Sequence, residues 1–113
     1  MKVVLLKSTK LGEVLPADEA FGKTMMAKFL HALENKNNLP DCIICYTEGI
    51  KNAVKGSDTA LSLEALQSAG TKILLCASCM DYYKLAPENM VGTLSNMAEI
   101  VETLTHCDQV IGP

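Results

Sequence analysis

The sequence has 113 residues, which is the size of one folding domain, because single hydrophobic cores usually comprise roughly 100–150 residues. Hydrophobic residues make up 49% and charged residues 20% of the chain, a balance that supports a packed core and excludes extended disorder. The net charge is −3 and all 10 basic residues are lysine, so the acidic balance and the lack of arginine argue against a nucleic-acid partner.

The first predicted elements are a strand and a long helix. Residues Val3–Leu6 form an uninterrupted apolar run, which is typical of a strand buried on both faces of a sheet. Residues 16–35 predict an amphipathic helix with one apolar face directed toward the core. That face carries an apolar side chain at every fourth position: Phe21, Met25, Phe29 and Leu33.

A second strand and a second helix follow. The apolar run Cys42–Tyr46 predicts another strand that is buried on both faces. Ser57 is suited to the N-cap of the next helix, and Gly70 to the position just after its end, where a left-handed backbone is common. The inner face of this helix is predicted to carry Leu63 and Leu66.

The last third of the chain predicts three strands and one helix. The strands are expected at Thr71–Ala77, Val91–Leu94 and Gln109–Ile111. Asn96 and Glu99 have the spacing of a capping box that would start the helix before the last strand. One face of that helix is predicted to carry Met97, Ile100, Val101 and Leu104.

Apolar strands that alternate with helices predict an α/β fold with a mostly parallel sheet, covered by helices on both faces in three α/β/α layers. Right-handed crossovers make such a sheet doubly wound. We therefore expect one domain over residues 1–113. In sheets of this type, ligands and reactive groups gather outside the carboxyl ends of the strands, which directs attention to the loops after Leu6, Tyr46 and Leu75.

Two C-x-x-C segments occur in the sequence, and they predict different roles. Cys42 and Cys45 lie three positions apart within a predicted strand, so their side chains should point to opposite faces of the sheet. They cannot bind one metal ion from there, and we interpret both as packed core residues. A four-thiolate zinc site that also includes the second C-x-x-C segment is accordingly disfavoured, and no metal site is predicted.

The second segment, Cys76-Ala77-Ser78-Cys79, spans the carboxyl end of the third predicted strand. Because the chain leaves the strand here, the two thiols can face each other. Backbone N–H groups of a following helical turn would lower the pKa of such a thiol and increase its nucleophilicity. A reactive pair and a packed pair are both compatible with the residues alone.

Motifs for cofactors and membranes are not found in the sequence. It contains neither a phosphate-binding loop with a Walker lysine nor a G-x-G-x-x-G element, so no cofactor is predicted. The longest apolar runs are far shorter than the ~18 residues of a membrane span. The apolar stretch after Lys2 is too brief for a secretory signal, so we expect a cytoplasmic protein in which the 5 cysteines remain reduced.

Two segments carry a resemblance to a known family. Residues Cys76–Leu85 (CASCMDYYKL) and Val91–Val101 (VGTLSNMAEIV) are similar to the C-terminal domain of YedF-type proteins, which are sulfurtransferase-like selenium metabolism proteins. That domain belongs to the DsrE/DsrF-like family. The similarity extends over nearly the whole chain through five further anchors: Phe21-Gly22-Lys23, Phe29-Leu30, Leu39-Pro40, Gly49-Ile50-Lys51 and Gly56-Ser57.

The resemblance implies a three-layer, flavodoxin-like and DsrE-like fold with about five parallel strands. It also implies a sulfur-handling function, because sulfur-relay members accept a sulfane sulfur as a persulfide on a cysteine. That cysteine commonly lies six residues after the glycine that ends the preceding helix, which is Cys76 here, whereas Cys79 is the extra thiol of YedF-like sequences. The family pattern favours Cys76 and exposure favours Cys79, so both are candidates.

Further site residues and partners follow from the same resemblance. Asp81 and Tyr82 would shape the mouth of the pocket, and Asn96 would hydrogen-bond from the next loop. The sequence departs from the family at Thr47, where asparagine is frequent, and at Ala77, where glycine is frequent. The implied partners are sulfur-donor and sulfur-acceptor proteins, including a separate TusA-like protein, and further copies of the chain in a homo-oligomer.

Two other hypotheses compete with a sulfur carrier. A non-catalytic, oligomeric interaction module could share the fold and contain inert cysteines. A flavin-binding redox protein would also have this layered shape, but the loop after the first strand is not the Ser/Thr-rich phosphate loop that flavin binding requires.

Overall fold

The apolar runs of the sequence form the strands of one sheet, and the amphipathic segments form the helices that cover it. The structure, a computed structural model, describes residues 1–113. The strands are β1 (Lys2–Leu6), β2 (Cys42–Cys45), β3 (Lys72–Cys76), β4 (Thr93–Ser95) and β5 (Gln109–Ile111). The α-helices are α1 (Glu19–Ala32), α2 (Asp58–Ser68), α3 (Ala77–Tyr82) and α4 (Met97–His106). A 3-10 helix over Thr47–Ala53 follows β2, and shorter 3-10 turns lie at Pro16–Asp18, Lys36–Asn38 and Pro87–Asn89.

The five strands are all parallel and have the order β4-β3-β2-β1-β5. The predicted α/β sheet is therefore confirmed. The chain builds four adjacent strands from β1 to β4 and then returns through α4 to place β5 on the other side of β1. This order differs from the flavodoxin order 2-1-3-4-5, so the likeness to flavodoxins lies in the layers and not in the connections.

Each face of the sheet has its own apolar core, because neighbouring side chains of a strand point to opposite faces. The face toward α1 and α2 is lined by Val4, Leu6, Ile43, Cys45, Ile73 and Leu75. The face toward α4 is lined by Val3, Cys42, Ile44, Leu74 and Cys76, which pack with Ile100 of that helix. The three layers predicted from the sequence follow directly from these two cores.

Two helix starts and one helix end follow the predicted capping residues. The hydroxyl oxygen of Ser57 accepts a hydrogen bond from the N–H of Ala60 at 3.1 Å, and the side chain of Asn96 accepts one from Glu99. Gly70 has a φ of +110° and ends α2 in a left-handed turn, as predicted. No helix combines the length and the apolar character that crossing a membrane requires.

The buried face of α1 matches the predicted one only in part, since Leu33 is buried and Phe29 packs against the core, but the other fully buried positions lie one residue further along. Gly22, Met26 and Leu30 are buried along this helix, whereas Phe21 is 65% exposed. A Cβ on Gly22 would lie 3.0 Å from the Lys10 side chain, so α1 approaches the loop before it through its glycine. The prediction that Phe21 faces the core was therefore wrong.

The fourth strand also begins later than predicted, at Thr93. The N–H of Val91 donates to the carbonyl of Ala53 at 2.8 Å, and Met90 forms an isolated bridge with Val54. Gly92, with a φ of +121°, then turns the chain toward β3. Val91 consequently packs in the core below the sheet and is not part of a strand.

Helix α4 buries a narrower face than its sequence pattern predicts. Ile100 is fully buried and Leu104 is partly buried, but Met97 is 52% and Val101 49% exposed. Val110 lies on the same face of the sheet, in the edge strand β5 that follows α4 in the chain, and is 45% exposed. We refer to Met97, Val101 and Val110 as the α4-side apolar residues.

Candidate functional site

The candidate site lies where β3 ends and α3 begins without an intervening loop. Cys76 is the last residue of β3, and Cys79 lies in the first turn of α3. The backbone N–H of Thr47, just after β2, donates to the Sγ of Cys79 at 3.0 Å. The Thr47 hydroxyl donates to the carbonyl oxygen of Lys7, just after β1, at 3.1 Å. The structure thus brings together the three strand ends that the sequence predicted as the site.

The two cysteines of this segment differ in their access to solvent. Cys76 is only 3% exposed and packs beside Ile44 and Leu74 on the α4 face of the sheet. Cys79 is half-buried and contacts both apolar cores from the sheet edge. It opens into a cavity of about 230 Å³ whose lining residues are Thr47, Ser78, Cys79, Tyr82 and Tyr83. An incoming reactant can therefore reach the sulfur of Cys79 but not that of Cys76.

Burial raises the pKa of the Cys79 thiol above its ordinary value of 9.0, and the neighbouring Cys76 raises it further. The hydrogen bond from the N–H of Thr47 acts in the opposite direction, because it favours the thiolate. The pKa reduction expected from the sequence is therefore wrong for Cys79, since the loss of solvation outweighs the backbone donor. The thiol is protonated at neutral pH.

The sequence indicated Thr47 only as a departure from the family pattern, whereas the structure places it in direct contact with Cys79. Its φ is +47°, a left-handed conformation that β-branched residues rarely adopt. The next turn is equally tight, because a Cβ on Gly49 would lie 1.9 Å from the carbonyl oxygen of Leu6. The one sequence signal for Thr47 is its departure from the asparagine that the family often has there, since asparagine tolerates left-handed backbone.

Two tyrosines form the wall of the cavity. The rings of Tyr82 and Tyr83 lie 5.1 Å apart in an edge-to-face arrangement. The ammonium of Lys51 lies 4.6 Å from the centre of the Tyr83 ring, which holds that ring against the 3-10 helix. Tyr82 is 80% exposed and extends outward from the opening.

The other two residues expected at the site lie outside the cavity lining. Asp81 is exposed on α3. Asn96 uses its side chain as the N-cap of α4, where it accepts the N–H of Glu99 at 2.9 Å. The structure therefore places Cys79 and Tyr82 together at the cavity, with Cys76 behind them in the core.

The first C-x-x-C segment lies entirely within β2, as predicted. Cys42 faces α4 and Cys45 faces α1 and α2, so their thiols are on opposite sides of the sheet. Burial raises the pKa of Cys42 to about 11 and that of Cys45 to about 12. Across the chain, no group of three or more His, Cys, Asp or Glu side chains is arranged to hold a metal ion.

The largest cavity of the molecule, about 460 Å³, lies between α1 and α2 and is remote from these cysteines. Its lining includes Lys28, His31 and Asp58 but no thiol or hydroxyl held beside a base. The smaller cavity at Cys79 therefore remains the candidate site.

Comparison with solved structures supports the fold. The chain is similar to the ychN protein from E. coli, with 14% sequence identity, a TM-score of 0.71, and coverage of 99% of this chain and 97% of that one. It is also similar to a protein of unknown function, MTH1491, from Methanobacterium thermoautotrophicum, with 13% identity, a TM-score of 0.69 and the same coverage. A conserved protein of unknown function, BT1422 from Bacteroides thetaiotaomicron, has 17% identity and a TM-score of 0.64 over 99% of this chain and 94% of its own.

A search of curated proteins found no match. The family model of the DsrE/DsrF-like family matches residues 15–113, which include every strand but β1 and the whole of the Cys79 cavity. The chain belongs to the DsrE/DsrF-like family.

Proposed function

We propose that this protein is a sulfur carrier in which Cys79 accepts a sulfane sulfur and holds it as a persulfide. One observation carries the proposal: the Sγ of Cys79 lies at an open cavity and receives a backbone hydrogen bond, while its partner Cys76 lies buried directly behind it. A sulfur atom is small, so a shallow cavity suffices for it. Membership in the DsrE/DsrF-like family is compatible with such a sulfur-relay role.

Loading Cys79 requires one exchange of sulfur–sulfur bonds. The Sγ of Cys79 attacks the terminal sulfur of a donor persulfide, and a new Sγ–S bond forms as the S–S bond of the donor breaks. The donor sulfur leaves as a thiolate and takes up the proton that Cys79 has lost. Because burial raises the pKa of Cys79, the resting protein holds the less reactive thiol form, which limits side reactions.

Unloading can follow one of two routes. A thiolate of an acceptor protein, such as a separate TusA-like protein, attacks the terminal sulfur and displaces Cys79 as a thiolate. Alternatively, Cys76 attacks the Sγ of Cys79, hydrosulfide leaves, and a Cys76–Cys79 disulfide forms. In the second route the transferred sulfur is reduced while the two cysteines are oxidised, so a cellular dithiol must reduce the disulfide before the next cycle.

The proposal extends to selenium and to the cellular location. A donor selenium atom would be attacked in the same way, so a link to selenium metabolism rests on the nature of the donor.

We place the reaction in the cytoplasm, because all 5 cysteines are free thiols and a reducing compartment keeps cysteines in that form.

The direct test is mass spectrometry after incubation with a cysteine desulfurase and cysteine. We expect Cys76→Ser to gain the mass of one sulfur atom on Cys79 and Cys79→Ser to gain none. The wild type should show either this adduct or the Cys76–Cys79 disulfide that follows from it. Cys107→Ser serves as the matched control, because Cys107 is also half-buried but lies at the opposite end of α4 from the cavity. An unmodified Cys79 in Cys76→Ser, in which the disulfide route is blocked, contradicts the proposal.

A non-catalytic interaction module is the second candidate function, and the α4-side apolar residues favour it. About half of the surface of each of Met97, Val101 and Val110 remains in contact with water in the monomer. Homo-oligomerisation would bury these side chains and thereby stabilise the assembly. This function requires no reactive thiol, so a Cys79 that fails to react in the native protein supports the module.

A further inference from the structure

The backbone of Thr47 is held in an unusual conformation that two neighbouring strand ends support. Threonine at a φ of +47° is sterically unfavourable, and such a conformation persists only when its surroundings enforce it. The Thr47 hydroxyl lies 3.1 Å from the carbonyl oxygen of Lys7 and 2.8 Å from that of Tyr46. The single hydroxyl proton is shared between these two carbonyls, so the side chain of this β-branched residue ties its backbone both to the end of its own strand and to the end of β1.

The segment after Thr47 is attached to β1 in a second way. Gly49 packs against the carbonyl of Leu6 with no space for a Cβ. The side-chain amide of the buried Asn52 donates to the carbonyl oxygens of Ser8, at 2.9 Å, and Gly49, at 3.1 Å. The 3-10 helix thus has a fixed position relative to β1, and Thr47 begins it.

The consequence of this arrangement is the direction of one backbone N–H. In its left-handed conformation Thr47 points its N–H at the Sγ of Cys79, 3.0 Å away on a different element. A backbone donor favours negative charge on the sulfur that it contacts. Negative charge is present on this Sγ at two moments of sulfur transfer, when Cys79 attacks the donor and when the acceptor displaces it.

We propose that Thr47 is a positioning residue for the sulfur chemistry of Cys79: its hydroxyl holds the backbone left-handed, so that its N–H stabilises the thiolate. This inference rests on the proposed function and deepens it. Burial and the neighbouring Cys76 both disfavour the thiolate of Cys79. A preorganised backbone donor on the neighbouring strand end offsets part of that cost.

The groups that face this sulfur are few, which makes its titration interpretable. Cys76 approaches from the end of β3, and the phenols of Tyr82 and Tyr83 approach from α3. Glu48 and Lys51 belong to the 3-10 helix, where Lys51 lies over the Tyr83 ring and Glu48 lies 3.9 Å from the ammonium of Lys10. None of these groups is altered by a substitution at Thr47.

The test is the rate of Cys79 alkylation by iodoacetamide, measured by peptide mass spectrometry from neutral to alkaline pH. Thr47→Val keeps the branched shape but removes the hydroxyl, so we expect about three- to tenfold slower alkylation at neutral pH and a higher pH midpoint. Thr47→Ser restores the hydroxyl, and we expect it to restore the wild-type profile. Cys107, which is half-buried and remote, is the internal reference in each sample and should not change.

Thr47→Ala keeps the test decisive if the valine variant does not fold, because alanine is smaller, lacks the hydroxyl anchor and still disfavours the left-handed backbone. It should also slow alkylation and raise the pH midpoint. Wild-type profiles for both Thr47→Ala and any folded Thr47→Val would overturn the inference. This result is distinguishable from failure of the proposed function, which appears only as the absence of a sulfur adduct on Cys79 of the Cys76→Ser variant.

Discussion

The chain contains two C-x-x-C segments with identical spacing and opposite surroundings. Cys42 and Cys45 lie within the central strand β2, with one thiol in each apolar core. Cys76 and Cys79 bracket the point where β3 becomes α3, and the second of these thiols reaches a cavity. The spacing of the cysteines is therefore uninformative by itself, and the secondary structure that carries them decides their chemistry.

The difference arises from geometry and solvation. Within a strand, residues three apart point to opposite faces, so the two thiols of β2 cannot cooperate. A strand that turns directly into a helix places its last residue and the first helical turn on one side, so Cys76 and Cys79 become neighbours. Full burial suppresses ionisation of Cys45, while Cys79 retains contact with solvent and one backbone donor.

Selective alkylation gives the largest expected contrast between the segments. At about pH 8, only about one part in ten thousand of a thiol with a pKa of about 12 is ionised, and Cys45 is also inaccessible. We therefore expect iodoacetamide to modify Cys79 at least about a hundredfold faster than Cys42 or Cys45 in the native protein. Peptide mass spectrometry of native and urea-unfolded samples measures this. Equal native rates would remove the distinction between the segments.

The dependence of stability on alkaline pH should reveal the first segment. Burial raises the pKa of Cys45 from 9.0 to about 12, so between these values the unfolded chain releases a proton that the folded chain keeps. This cysteine therefore stabilises the fold fully below about pH 9, and we expect a loss of about 1.4 kcal/mol per pH unit as the pH rises further. Urea unfolding of the wild type and of Cys45→Ser is compared over this pH range. The difference between the two proteins gives the loss of stability due to Cys45, because lysine and tyrosine side chains contribute equally to both. Parallel curves for the two proteins would contradict it.

Serine substitutions should affect stability in the opposite order to thiol reactivity: the unreactive Cys45 should matter more for the free energy of unfolding than the reactive Cys79. This difference is smaller than the one in alkylation rate. Cys45→Ser places a hydroxyl in a fully buried apolar site, which should lower the free energy of unfolding by about 1–3 kcal/mol near neutral pH. Cys79→Ser should change it by about 0.5 kcal/mol or less, because a serine oxygen can also accept the N–H of Thr47. Thermal and urea denaturation measure both values. A large loss for Cys79→Ser would assign that residue a structural role.

Much of the fold was predictable because buried parallel strands appear in the sequence as apolar runs. The strand Gln109–Ile111 and the caps Ser57 and Asn96 were predicted correctly, since each depends on local sequence. The inner face of α1 was predicted only in part: Leu33 is buried and Phe29 packs against the core, but Phe21 is exposed and the buried stripe begins at Gly22. A glycine has no side chain to signal that a helix approaches its neighbour there.

The candidate site was predictable in position but not in detail. The ends of three parallel strands indicated where to look, and the C-x-x-C at the end of β3 indicated a thiol. The role of Thr47 depends on a backbone N–H whose direction is set by contacts with Lys7, 40 positions earlier in the chain. Sequence patterns do not record the direction of a main-chain donor, and they do not report how far burial will raise the pKa of Cys79.

The pairing of β5 with β1 has a consequence for synthesis on the ribosome. One edge of β1 stays without a hydrogen-bonding neighbour until residues 109–111 emerge, although β1 itself is translated first. During that interval the nascent chain exposes an apolar strand edge of the kind that pairs with other chains. Chaperone binding during translation should therefore concentrate at β1. Chains truncated before residue 109 should aggregate through the same strand.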